Sequence, residues 1–193
     1  MIHPLVPYAI RGAIWYQGES NGNEGETYYH KKHALVKGWR KVWNQGDFPF
    51  YWVQLANFTN DKKTPQGGDG YAKIRDAERM ALDIPNSGMA VIMDIGETSD
   101  IHPKNKQDVG KRLAQWALAQ TYGQDVVPSG PLYEKMTVEN GKTRIHFKHI
   151  GKGLIIGKKD GLKPTEEIVI DAKLERFAIA GKDKLWVWAN AVI

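Results

Sequence analysis

The sequence predicts an α/β fold, a parallel sheet covered by helices, followed by a small antiparallel β module. Three observations carry this expectation. Apolar strand-like runs alternate with helical patterns three times before residue 128, and alternation of that kind builds parallel sheets. Each run ends in a polar loop, and right-handed crossovers would bring those loops to one edge of the sheet. After Pro128-Ser129-Gly130-Pro131 the texture changes to short alternating segments around Asn140-Gly141, a strong hairpin signal. The expected units are therefore 1–128 and 129–193.

Residues 1–11 contain Pro4 and Pro7 and read as an extended approach. The first strand, 12–16, ends at Gln17-Gly18-Glu19-Ser20-Asn21, where Gly18 lets the backbone turn sharply or pass close to a ligand. From Glu26 to Asn44 the residues Tyr28, Leu35, Val36, Trp39, Val42 and Trp43 fall on one helical stripe. Lys31, Lys32, Lys37, Arg40 and Lys41 lie mostly off it. Core packing is the default role of those aromatics. Gln45-Gly46-Asp47 ends this helix. Phe50-Tyr51-Trp52-Val53-Gln54-Leu55-Ala56 is a continuous apolar run that suits a buried parallel strand.

The polar stretch from Asn57 to Gly70, with Gly67-Gly68, is long enough to be a functional loop. A second helix is expected over Tyr71 to Leu82 and a third strand at Met89-Ala90-Val91-Ile92-Met93. The polar loop from Asp94 to Pro103 leads into a third helix over about Lys104 to Thr121. Val109, Leu113, Trp116 and Ala117 form its buried stripe, and Gly123 suits its C-terminal cap. In the β module Met136, Val138, Ile145 and Phe147 alternate with polar residues. Leu154-Ile155-Ile156, Glu167-Ile168-Val169-Ile170, Phe177-Ala178-Ile179 and Leu185-Trp186-Val187-Trp188 are further strand candidates, and Ala191-Val192-Ile193 reads as a strand.

Composition narrows the chemistry. The 193 residues are 41% hydrophobic and 25% charged, ordinary for a globular chain, and no apolar stretch is long enough to span a bilayer. No membrane partner is expected. With no cysteine, thiolate catalysis, thiolate metal sites and disulfides are excluded. The net charge of +5 is spread along the chain with no compact Lys/Arg block, so no nucleic-acid partner is expected. There is no Walker loop or dinucleotide fingerprint, and no histidine pair has metal-motif spacing. No metal and no cofactor are expected.

Two stretches can carry chemistry. In Ser99-Asp100-Ile101-His102-Pro103 an imidazole follows a buried strand, with Asp100 near enough to orient it and stabilise its charged form. The competing reading makes Asp100 an N-cap and His102 a polar loop residue. His3, His30, His33, His146 and His149 have no such setting. In Gln17-Gly18-Glu19 the amide can donate to a developing oxyanion, and the carboxylate can orient a histidine or bind a hydroxyl. In the competing reading Gly18 makes a turn while its neighbours satisfy loop backbone groups.

Ile10-Arg11-Gly12-Ala13-Ile14-Trp15-Tyr16-Gln17-Gly18-Glu19-Ser20-Asn21, together with Asp94-Ile95-Gly96 and Asp100-Ile101-His102-Pro103-Lys104-Asn105-Lys106, resembles bacterial sialate O-acetylesterase. That family is a carbohydrate esterase of the SGNH-hydrolase type. The resemblance implies a flavodoxin-like three-layer α/β/α sandwich and removal of acetyl groups from sugar hydroxyls by a serine–histidine mechanism. It maps the general base to His102 and the Gln-Gly-Glu block to Gln17, Gly18 and Glu19 near the oxyanion site, with Gly18 and Asn21 facing the substrate. An acetylated sugar is the implied partner, and a periplasmic or secreted location is implied for the full-length family.

Two departures qualify the match. The triad acid of such enzymes usually stands three residues before the histidine, where this chain has Ser99. Asp100 is the first choice for the acid and Glu19 the second. The nucleophile block, Gly-Gln-Ser-Asn-Met on the first strand, has no counterpart. Ser20 is a poor substitute because its Trp-Tyr-Gln context marks the later block, so the nucleophile is unknown. The chain reads as the back part of an esterase, with the first strand missing and an open sheet edge that invites pairing with a missing N-terminal segment or with itself. The alternative is a non-catalytic module, derived from such an esterase, in which the old site or the β module holds a glycan or a protein; the 57–70 loop and the exposed candidates Trp186 and Trp188 motivate it.

Overall fold

The computed structural model describes residues 2–59, 64–66, 70–170 and 172–193. Gly67-Gly68 lies outside them. Three strands, β1 (Ala13–Trp15), β2 (Phe50–Val53) and β3 (Ser87–Ala90), form a parallel sheet in the order β1-β2-β3. Ile14 pairs with Tyr51, and Tyr51 with Gly88. The central strand β2 is buried on both faces, with every residue at or below 2% exposure. That burial explains its unbroken apolar run.

Helices cover the sheet on both sides. Helices α1 (Gly25–Trp43) and α2 (Gly70–Met80) share one face. There Trp39 of α1 meets Trp15 and Phe50 edge-on, and the Trp52 indole donates to the Glu78 carbonyl of α2. Helix α3 (Lys106–Trp116) lies on the other face, with Trp116 stacked on Tyr51. The result is the expected α/β/α layering. A 3₁₀ turn, Ala81–Asp83, extends α2, and a π-helical turn, Ala117–Thr121, extends α3 to Gly123, whose φ is +64°. Among the described residues no helix is long and apolar enough to cross a membrane.

The third strand sits earlier than the apolar run Met89–Met93 implied. Pairing begins at the buried Ser87, and Met93 is exposed. Gly88 explains the shift. A Cβ there would stand 2.4 Å from Cδ2 of Trp116, so only glycine lets the indole lie flat on the strand. The indole is pinned, since its Nε1 donates to the Met89 carbonyl at 2.9 Å. Gly88→Ala is therefore expected to destabilise the fold by about 1–3 kcal/mol, the usual cost of overpacking. A drop in the urea midpoint at unchanged m-value would show it.

Two basic residues also differ from the expected pattern. Lys32 is 2% exposed and sits within the stripe Tyr28–Lys32–Val36–Trp43, while Val42 is half exposed. Arg40 folds inward as well, donating to the carbonyls of Phe48 and Pro85.

Strands β4 (Leu132–Glu139) and β5 (Lys142–Lys148) form the expected hairpin. Asn140 and Gly141 both have positive φ, as the turn requires. The later strands are much shorter than expected. Among the described residues only β6 (Gly157–Lys158) with β7 (Glu166–Glu167), and β8 (Ala178–Ile179) with β9 (Val187–Trp188), form two-residue ladders. Leu154-Ile155-Ile156 makes no strand, and at the chain end only Ala191 pairs, in a single bridge with Leu174. Runs of three or four residues with no opposing layer cannot bury one face of a ladder. Accordingly Val169 and Ile170 remain at 83% and 80% exposure.

The β6–β7 ribbon is tied to α3 by side chains. Lys159, 8% exposed, places Nζ 2.8 Å from Oδ2 of Asp108 and donates to the carbonyls of Gly161 and Lys163. Asn105 caps α3 by accepting from the Asp108 amide, and its own amide donates to the Gly161 carbonyl. Lys159, then Asn105 and Lys111, hold the Asp108 carboxyl well below the usual range.

Candidate active site

Because the sheet is parallel, β1, β2 and β3 all end at one edge, where open α/β sheets place ligands. The loops that follow them meet there. Tyr16 and Glu19 from the first, Asn57 and Phe58 from the second and Ile101 from the third line one narrow hollow, with Tyr71 of α2. The Thr59 amide donates to the Thr98 carbonyl, and Tyr71 Oη to the Glu19 carbonyl.

The first loop is tightly built. Gly18 is buried with φ +155°, and its amide donates to Oε2 of Glu19 at 3.0 Å. Gln17 Nε2 donates to Oδ1 of Asn21 at 2.8 Å, and Asn21 Nδ2 donates to Glu24. Tyr28 Oη donates to the Gln17 carbonyl at 2.9 Å and to its Oε1 at 3.2 Å. The Gln17 amide is thus engaged within its own loop. Ser20 lies exposed in the 3₁₀ turn Glu19–Asn21.

Glu19 is the half-buried carboxylate of the hollow, and its field is felt by the surrounding phenols. Burial first, then the charges of Glu19 and Glu78, pushes Tyr16 up to about 12. The same causes raise Tyr28, with Glu78 ahead of Glu19, and burial and Glu19 raise Tyr71. Lys106 Nζ stands 4.5 Å from the Tyr16 ring centroid and brings a cation to the same rim.

His102 stands at that rim. Its side chain is 86% exposed, and Nδ1 lies 3.9 Å from Oδ1 of Asp100, longer than a hydrogen bond. The same oxygen accepts the His102 backbone amide at 2.8 Å. Asp100 is not the cap of α3, a role that belongs to Asn105. Asp100 therefore shapes the loop that carries the imidazole. Ile101, beside His102, and Glu19 share the hollow, so the two sequence stretches singled out for chemistry lie at one edge of the sheet.

Sequence reasoning missed two groups under this loop, Glu78 and Lys32. Glu78 is 0% exposed, its Oε2 accepts the Leu55 amide at 3.0 Å, and its Oε1 has no partner among the described residues. Burial raises Glu78 and lowers Lys32, and each charge partly offsets the shift of the other. The signal was spacing, since Ile74, Ala77, Glu78 and Ala81 recur as one buried helical stripe. The C-terminal segment also reaches the edge region, where Gln66 donates to the Trp186 carbonyl.

Comparison with known proteins matches residues 3–119 to a family described as carbohydrate esterase, sialic acid-specific acetylesterase. The sialate O-acetylesterases of Homo sapiens and Pongo abelii are each 36% identical to the chain over 179 residues, covering 83% of it and 34% of the relative. That of Rattus norvegicus is 34% identical over 152 residues, covering 70% of the chain and 28% of the relative. The chain thus spans about a third of the length of these curated relatives. The crystal structure of a carbohydrate acetylesterase from Xanthomonas citri superimposes with a TM-score of 0.78 at 35% identity, covering all of this chain and 42% of that one.

Proposed function

Since the chain belongs to the sialic acid-specific acetylesterase family of carbohydrate esterases, we propose that it carries the base and oxyanion side of an enzyme that hydrolyses acetyl esters on sugar hydroxyls. The observation that bears most on this is the family match over 3–119, which spans both the Gln17–Asn21 block and the Asp100–Lys106 block. Their meeting at the carboxyl edge of the sheet supports it.

In this reading a serine supplied from outside these two blocks attacks the acetyl carbonyl, and His102 takes its proton. The tetrahedral oxyanion is met by the second N–H of the Gln17 side-chain amide, the first being held by Asn21. Collapse returns the proton from His102 to the departing sugar oxygen and leaves an acetyl-enzyme. Water, activated by the same imidazole, then releases acetate. Asp100, or Glu19 from the neighbouring loop, orients the ring. Gly18 and Asn21 frame the substrate side of the turn. No metal or cofactor enters this scheme.

A chimera tests the proposal. These 193 residues replace the matched 42% of the Xanthomonas citri acetylesterase. The chimera is expected to release acetate from p-nitrophenyl acetate and from O-acetylated sugars. A folded chimera without acetate release overturns the function. The 193-residue protein by itself is expected to show near-background hydrolysis. Robust turnover that vanishes in His102→Ala would instead make Ser20 the nucleophile.

A further inference from the structure

Glu78 and Lys32 face each other across the space below the first catalytic loop, and neither charge is well satisfied. Lys32 Nζ and Glu78 Oε1 are both buried without a hydrogen-bond partner among the described residues. Lys32 instead lies over two rings, 5.0 Å from the Tyr28 centroid and 5.4 Å from that of Trp52. Apolar side chains of similar volume pack into such a position at least as well as an opposed ionic pair. What the pair adjoins gives it a purpose. An ideal Cβ on Gly18 would stand 3.4 Å from Glu78 Oε1 and 3.2 Å from Tyr28 Oη, so the free oxygen abuts the back of the turn.

We propose that Glu78 is a positioning residue for the Gln17–Gly18–Glu19 turn, its carboxyl backing onto Gly18 with the Lys32 ammonium as its counter-charge. The proposal rests on the reading of that turn as part of an esterase site. Tyr28 of α1 holds one side of the turn through the Gln17 carbonyl, and Glu78 of α2 supports the other. The charged groups facing Glu78 are Lys32 from α1, Arg75 from its own helix and Glu19 from the turn itself. A negative charge on Glu78 opposes that on Glu19 through the thickness of Gly18. A proton on Glu78 relieves that opposition and leaves the Glu19 carboxylate on the Gly18 amide. The protonation of a fully buried group thereby sets the geometry of a half-buried one.

The test is nuclear magnetic resonance on the unmodified full chain, followed by variants. The side-chain carboxyl carbon of Glu78 and the amide of Gly18 are followed from pH 5 to pH 10. They are expected to move with one shared midpoint, while the Gly46 amide, on a distant loop, does not follow. In E78Q the Gly18 step is expected to vanish with the rest of the spectrum retained. In K32M, which serves if E78Q does not fold, the midpoint is expected to move upward, because Glu78 loses its positive neighbour. Separate midpoints in the unmodified chain overturn the proposal. So does a step that persists in E78Q, which would belong to Glu19, or an unmoved midpoint in K32M. The readout needs no acetate release, so a failed chimera would not be mistaken for a failed Glu78.

Discussion

His102→Ala is expected to lower kcat/KM for acetate release in the chimera by about 10²- to 10⁴-fold, the range over which a positioned acid–base group acts. In the proposed mechanism the substitution removes the group that accepts the serine proton and returns it to the leaving oxygen. The loss is expected in kcat more than in KM, since the ring does not hold the ground-state ester. Asp100→Asn and Glu19→Gln divide the orienting role. Oδ1 of Asp100 is 3.9 Å from Nδ1, and a small rotation of a ring this exposed closes the gap. Asp100→Asn is therefore expected to cost more than Glu19→Gln. The reverse order would transfer the role to Glu19, and a His102→Ala chimera as active as its parent would remove His102 from the chemistry.

The next largest effect is on stability. The protein is expected to lose stability, on the order of a few kcal/mol, between pH 5 and pH 8, and E78Q to lose far less. Burial raises Glu78 from 4.5 to about 8. Between those values the native carboxyl holds a proton that the unfolded chain has released, so rising pH favours unfolding. The contribution is full below about 4.5 and gone above about 8. Lys32 acts in a higher window. Burial lowers it from 10.5 to about 8, so its contribution is full above 10.5 and lost as the pH falls to about 8. The two slopes have opposite sign, so the pair stabilises the fold least between its two windows.

Other shifted groups lie outside this account, Asp108 and His149 among them. Asp108 is held low, and its slope falls at acid pH. His149 is lowered by burial and then by Lys148, which opposes the Glu78 slope below its usual value of 6.5. The difference between native and E78Q profiles cancels both. Urea titrations at four pH values suffice, and parallel profiles would refute the Glu78 assignment.

The three strand–helix units were readable because their signals are redundant. Phe50-Tyr51-Trp52-Val53 is apolar at every position, as a strand buried on both faces must be. Asn140-Gly141 specifies its hairpin through two positive φ values. The meeting of the Gln17 and His102 loops followed from parallel topology alone. Lys32 and Glu78 were not readable in the same way. Charged residues on a helix are ordinarily solvated, and only their coincidence with an apolar stripe argues otherwise. The positions of the β6 to β9 ladders were hidden for another reason. A run of three apolar residues does not say whether an opposing layer exists, and here it largely does not. Met89–Met93 misled because Gly88, the residue that admits Trp116, carries no apolar signal.

The Asp108–Lys159 tie has an evolutionary corollary. A ribbon held by two ladder pairs is nearly indifferent to which side chains occupy its exposed positions, so Lys158, Glu166 and Glu167 are free to drift, while a Cβ on Gly157 would meet Thr165. Lys159 has no such latitude. Its ammonium holds one carboxylate and two carbonyls at once. Mutational tolerance in this ribbon is therefore expected to be steeply graded between adjacent positions, permissive at 158 and closed at 159.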